Sequence, residues 1–205
     1  MKVALLGIAG LVVVVAVTGA VILSGRDTAP ASTPFIGAAV PAGIWMPSFS
    51  LQDERGRPVR AADLRGKVVA LTFLDAQCVD ACPIIGSAVA RAIDMLEPAE
   101  RAGVVAIGIS VDPAEDTVVA RREFLAQHRA NGRIRYASAS LRELTPVWRD
   151  FQILATAISG DDSLHSAPVR IYSRDGEWLT TLYAGSTLTA GNLVHDLRLA
   201  LAADG

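Results

Sequence analysis

Residues 67–74 read KVVALTFL, an unbroken run of β-branched, aromatic and aliphatic side chains behind one lysine. A strand with one wet face alternates apolar and polar residues, whereas a continuous run marks a strand covered on both faces. Such a strand needs a packed layer on each side, which restricts the chain to layered α/β architectures. VVAIGISVD at 104–112 repeats the pattern. Between the two runs, IIGSAVARAIDML places Ile84, Val89, Ile93 and Leu96 near helical spacing, and Pro83 suits a first helical turn, where its missing N–H does no harm.

The remaining segments extend this order. SFSLQDERGRPVRAADL predicts a hairpin bending at Glu54-Arg55-Gly56. A helix opened by Asp116 or Thr117 is expected to run to about Ala130, followed by a strand in IRYASA. LRELTPVWRDFQI predicts a short helix interrupted near Pro146. PVRIYS and EWLTTLY flank Arg174-Asp175-Gly176, whose Asp-Gly pair favours a tight turn, and TAGNLVHDLRLALAA closes the chain as an amphipathic helix. The expected fold class is α/β, a mixed central sheet with flanking helices on both faces.

The N-terminal end has different physics. Val3 to Leu23 carry no charged residue, a run that matches the roughly 20 residues needed to cross a hydrocarbon layer. It reads as an uncleaved transmembrane helix, with a cleaved signal peptide as the alternative. Lys2 ahead of the run, against Arg26 offset by Asp27 behind it, places the N-terminus in the cytoplasm and the body outside. The expected organisation is therefore an anchor at 1–24, a flexible linker at 25–43 rich in Pro, Ala, Ser and Thr, and one domain at 44–205. The absence of an Arg- and Ser-rich presequence favours a bacterial cytoplasmic membrane with the domain on the periplasmic side. A formal net charge of −2 with no Lys/Arg run leaves no footprint for nucleic acid.

The chain's two cysteines, Cys78 and Cys82, stand where the first buried strand ends and its helix begins. Ligands of open α/β sheets bind beyond the carboxyl ends of strands, so the pair occupies the expected site position. A structural disulfide across so short a loop would restrain little of the unfolded chain. If the first turn is helical, Cys78 and Cys82 at i and i+4 share a face. Two thiolates suit copper(I) and also zinc; three-coordinate copper needs one more donor and closed zinc sites usually need two. Of the histidines, His128 and His195 fall within helices as solvated or packing residues. His165, in the loop DDSLHSAPV just before a strand, is either a ligand or an ordinary loop histidine that caps a backbone group. Asp112-Pro113 with Asp116-Thr117 reads as a turn plus a helix N-cap.

FLDAQCVDACP, ISVDPAEDT and LHS ahead of a strand and a DG hairpin, in that order, resemble the Sco/SenC family over about Met46 to Leu201. The resemblance implies a thioredoxin-like fold. It also implies one copper ion, Cu(I) or Cu(II), bound by Cys78, Cys82 and His165. Asp80 inside the C-x-x-x-C motif and Asp112 enter as supporting residues, as does Pro168, which resembles the proline facing the cysteines in thioredoxins. By the same resemblance the chain is expected to be a metallochaperone that helps mature the dinuclear copper site of cytochrome c oxidase, and a monomer is the expected state. Its expected partners are the copper-bearing subunit of that oxidase or another copper chaperone. The alternative is a membrane-tethered thiol-disulfide reductase in which Cys78 attacks and Cys82 resolves.

Overall fold

The computed structural model describes residues 35–153 and 168–203. Eight strands are named among them: β1 (Ala38–Ala39), β2 (Ser50–Gln52), β3 (Pro58–Arg60), β4 (Val68–Leu74), β5 (Val104–Ser110), β6 (Ile134–Ala137), β7 (Pro168–Tyr172) and β8 (Trp178–Tyr183). Helices α1 (Ala81–Met95), α2 (Pro98–Ala102), α3 (Val118–Gln127), α4 (Leu141–Asp150) and α5 (Ala190–Ala203) connect and cover them. The main sheet runs β1-β8-β7-β4-β5-β6, with β4, β5 and β6 parallel and the other neighbours antiparallel. β2 and β3 form the expected hairpin, with Gly56 at φ +75° supplying the left-handed bend.

Every residue of β4 is buried, as the apolar run requires. Its alternate side chains serve two cores. Val68, Ala70 and Leu74 pack with Ile85, Val89, Phe124 and Leu197 from α1, α3 and α5. Val69, Leu71 and Phe73 pack on the opposite face with Leu144 and Trp148 of α4 and with Leu51 and Val59 of the hairpin. Each fully buried Leu, Val or Phe contributes about 1.5–3 kcal/mol of transfer free energy, so the two faces of this strand organise the domain.

Several expectations change. The inward face of α1 carries Cys82, Ile85, Val89 and Ile93, all buried, while Ile84, expected on that face, is 48% exposed. α4 runs through Pro146 without interruption. The burial of Leu144, Val147 and Trp148 outweighs the one helical hydrogen bond that the proline cannot donate. α2 was not foreseen. The linker expected to reach residue 43 joins the sheet earlier: Ala38–Ala39 pair with Thr181 and Thr180 of β8. The preceding N–H groups of Ile36 and Gly37 donate to the buried Asp196 carboxylate of α5 at 2.8 and 2.9 Å. Among the described residues no helix is long and apolar enough to cross a membrane, and the Val3–Leu23 run lies outside them.

At the β6 edge, side chains replace a neighbouring strand. The outward N–H of Tyr136 donates to Glu54 Oε2 at 3.0 Å, and its C=O accepts from Arg121 Nη1 at 2.6 Å. Just beyond, Ser138 exchanges two backbone hydrogen bonds with Gln52.

Candidate metal centre

Because β4 and β5 are parallel, with Leu74 opposite Ser110, the loops that follow them leave the sheet at one edge. Pro168 opens the antiparallel β7 at the same end, with Val169 paired to Thr72. The first loop, Asp75 to Asp80, carries Cys78. The Asp75 carboxylate accepts from the Gln77 N–H at 2.7 Å, and the Cys78 N–H donates to the Asp75 carbonyl at 3.3 Å, so the loop is a compact turn.

α1 begins at Ala81, so Cys78 lies ahead of the helix and does not share a helical face with Cys82. The turn brings the thiols together instead. Cys82, the second helical residue, is fully buried, whereas Cys78 is half-buried; both are free thiols. The Asp75 N–H donates to Cys82 Sγ at 3.4 Å. Burial pushes the Cys82 thiol far up from its ordinary range, opposed by that N–H and reinforced by the neighbouring Cys78 and Asp75. Cys82 is therefore a protonated thiol at neutral pH, and any metal it binds must displace a proton.

Asp80 occupies the N-cap position of α1, exposed, with no capping hydrogen bond from its side chain. Asp112 shapes the second loop by accepting from the Ala114 and Glu115 N–H groups at 3.1 and 3.4 Å. The cap of α3 is Thr117, which accepts from the Ala120 N–H at 3.1 Å. That leaves Asp116 for another task, which the turn-plus-cap pattern did not reveal. Its carboxylate is 2% exposed and accepts from the Ala76 N–H, the Ser110 hydroxyl and the Tyr136 hydroxyl at 2.7, 2.6 and 2.9 Å. Burial pushes Asp116 up to about 6 despite these three donors. The same burial drives the Tyr136 phenol well above its ordinary range, so it remains a donor.

The other histidines are accounted for by packing. His128 packs against Phe124 with the rings tilted by 59° and their centroids 4.5 Å apart, and His195 Nδ1 lies 2.9 Å from Asp196 Oδ1. An open groove between the site loop and α3, lined by Gln77, Cys78, Val79, Pro83, Phe124 and His128, gives access to Cys78. Among the described residues no group of three or more His, Cys, Asp and Glu side chains is placed to hold a metal ion. His165, expected as the third donor, lies outside the described residues.

A parallel strand pair carrying C-x-x-x-C at its edge, with V-D-P-x-x-D-T on the adjoining loop, matches the SCO1/SenC family model over residues 39–201. The chain belongs to the SCO1/SenC family. Protein SCO2 homolog, mitochondrial, of Mus musculus is 27% identical over 168 residues, 79% of this chain and 64% of the mouse protein. The match therefore spans less than two thirds of that relative's length. Among solved structures, Arabidopsis thaliana ScoI with copper bound is 25% identical at a TM-score of 0.66, covering 78% of this chain and 99% of that one. Bradyrhizobium japonicum ScoI with copper bound is 23% identical at a TM-score of 0.65, covering 77% and 99%, a likeness of fold. The thioredoxin-like α/β fold of the SCO1/SenC proteins is thus the fold of this chain.

Proposed function

We propose that this SCO1/SenC chain is a copper-handling assembly factor, tethered by Val3–Leu23 to a bacterial cytoplasmic membrane, that helps mature the dinuclear copper site of cytochrome c oxidase. Copper is its cargo. Cys78 and Cys82 supply thiolates, and His165 an imidazole nitrogen, a soft and borderline set that suits copper(I). The observation that carries this reading is the buried Cys82 beside the half-exposed Cys78 at the strand edge, in a family whose relatives include ScoI proteins solved with copper bound. The resemblance of the LHS motif ahead of β7 to the family's pattern is what supplies His165 as the third donor.

The test is a copper(I) competition titration of the reduced full chain beside His165→Ala and the Cys78→Ser/Cys82→Ser double variant. One equivalent bound in the wild type, with affinity lost in both variants, is the expected result. Binding indifferent to His165 would remove it from the ligand set.

A second reading is favoured by the unequal exposure of the thiols, which suits a thiol-disulfide reductase. Cys78 as thiolate would attack a target disulfide through the open groove, expelling one target sulfur and forming a mixed disulfide. Cys82, after losing its proton, would attack Cys78 and release the second target sulfur. Two electrons pass to the target, and the resulting Cys78–Cys82 disulfide is reduced back to two thiols by an external dithiol, which is itself oxidised to a disulfide. Such turnover would survive His165→Ala, which separates the two readings.

A further inference from the structure

Two successive N–H groups of the site loop meet two different acceptors. That of Asp75 donates to Cys82 Sγ, and that of Ala76 donates to Asp116 Oδ1. The intervening peptide units are planar, so fixing one N–H narrows the directions open to the other. Asp116 is well placed to do the fixing. Its Oδ2 accepts from Ser110, the last residue of β5, and from Tyr136 in β6. Its own N–H donates to the Asp112 carbonyl at 2.8 Å, and its carbonyl accepts from Arg121 Nε at 3.1 Å. Every polar group of the residue is thus committed, and its carboxylate joins the cysteine loop to the central sheet.

We propose that Asp116 is a positioning residue for the cysteine pair, registering the site loop against β5 and β6 and thereby setting how the Asp75 N–H and Cys78 stand toward the Cys82 sulfur. The proposal rests on the reading that Cys78 and Cys82 work together, whether on copper or on disulfides. Residue type supports it. An ionised carboxylate accepts from several donors at once and brings no donor of its own, whereas an amide would turn an N–H₂ toward Ala76, Ser110 or Tyr136. A capping role does not account for the residue, because Thr117 performs that task and Asp116 faces inward.

The experiment compares Asp116→Ala, Asp116→Asn and Ser110→Ala in the full chain. The principal readout is the equilibrium of the Cys78–Cys82 disulfide against dithiothreitol, which reports the effective concentration of one thiol at the other. Copper(I) affinity, thermal midpoint and hydrogen exchange at the Ala76 amide accompany it. Asp116→Ala is expected to lower the effective concentration about tenfold, the equivalent of one lost hydrogen bond, and to unprotect the Ala76 amide. Asp116→Asn, whose amide oxygen still accepts from Ala76, should fall between. Ser110→Ala removes only a sheet-side donor, so it should lower the thermal midpoint while leaving the disulfide equilibrium near the wild-type value. An unchanged equilibrium in Asp116→Ala, or a loss that tracks thermal stability equally in Ser110→Ala, overturns the proposal. If Asp116→Ala does not fold, Asp116→Asn decides: a disulfide equilibrium equal to that of the wild type also overturns it. If copper binding ignores the cysteines, the copper reading fails alone, and the disulfide equilibrium still rules on Asp116.

Discussion

Two buried aspartates sit in opposite electrostatic settings. Asp53, in the bend of the β2–β3 hairpin, is 1% exposed and Asp116 is 2% exposed. Asp53 accepts from the backbone N–H groups of Arg55 and Arg57 and from the guanidiniums of Arg57 and Arg135, all within 3.0 Å. Burial raises its carboxyl, but the Arg57 and Arg55 N–H groups and the two guanidiniums outweigh burial and hold it below the ordinary range. Asp116 has an N–H and two hydroxyls, and among the described residues no guanidinium donates to its carboxylate; Arg121 donates to its backbone carbonyl instead. Without a cation in contact, burial wins and its carboxyl rises to about 6. Similarly little exposed surface with different partners thus yields a structural anchor in the hairpin and a carboxylate poised to titrate beside the cysteine loop.

The largest effect expected of this contrast is at Asp53. Asp53→Ala leaves two backbone N–H groups without their acceptor, a loss of about 1–3 kcal/mol for each, and takes the shared carboxylate from two part-exposed guanidiniums. Urea unfolding should show that loss while copper(I) affinity stays at the wild-type value; a fall in affinity in the folded variant would mean that the hairpin carboxylate also acts on the cysteine site.

Next is the pH dependence of Asp116. Its carboxyl titrates near 6 in the folded chain and near 3.8 when unfolded, so between those values the folded state holds the extra proton. Its contribution to stability therefore falls as pH rises through that window, by about 3 kcal/mol in all, and is flat outside it. Subtracting Asp116→Asn from wild type in urea titrations at successive pH values isolates the slope. Asp53 acts with the opposite sign: its contribution is full above the ordinary carboxylate range and is lost as acid protonates it. A flat difference curve for Asp116 would erase the comparison.

The smallest effect is expected at Val79, between the two cysteines and 93% exposed. Val79→Ser should change stability by less than about 0.5 kcal/mol, measured by the same unfolding, since the loop is fixed by its backbone hydrogen bonds rather than by this side chain. A larger loss would show that the loop relies on contacts at Val79.

The parts of the molecule that were legible in the sequence are those whose cause is local. The apolar run of β4, the Gly56 bend, the Asp-Gly hairpin and the cysteines at a strand-to-helix junction all carry their signal within a few residues. What was missed depends on distant partners. Pro146 stays inside α4 because Trp148, fully buried, donates Nε1–H to the Ser110 carbonyl at 2.8 Å and packs in the second core. Ala38–Ala39 form a strand because Asp196 captures the N–H groups just before them from across the sequence. The task of Asp116 depends on Tyr136 and Ala76, neither of which is adjacent in sequence. The cysteine pair was found from spacing, yet its proximity comes from the turn at Asp75 and not from the helical periodicity that suggested it.

The dressing of β6 has a colloidal consequence. A bare edge strand offers its outward N–H and C=O groups as a template on which another chain can add a strand. Here Glu54 and Arg121 occupy both outward groups of Tyr136, and the opposite edge ends in a strand of two residues. Among the described residues, neither border of the main sheet leaves a long open ladder for strand addition. Copies crowded at high local concentration are thereby protected from edge-to-edge aggregation, while the groove beside the cysteine loop stays open to solvent.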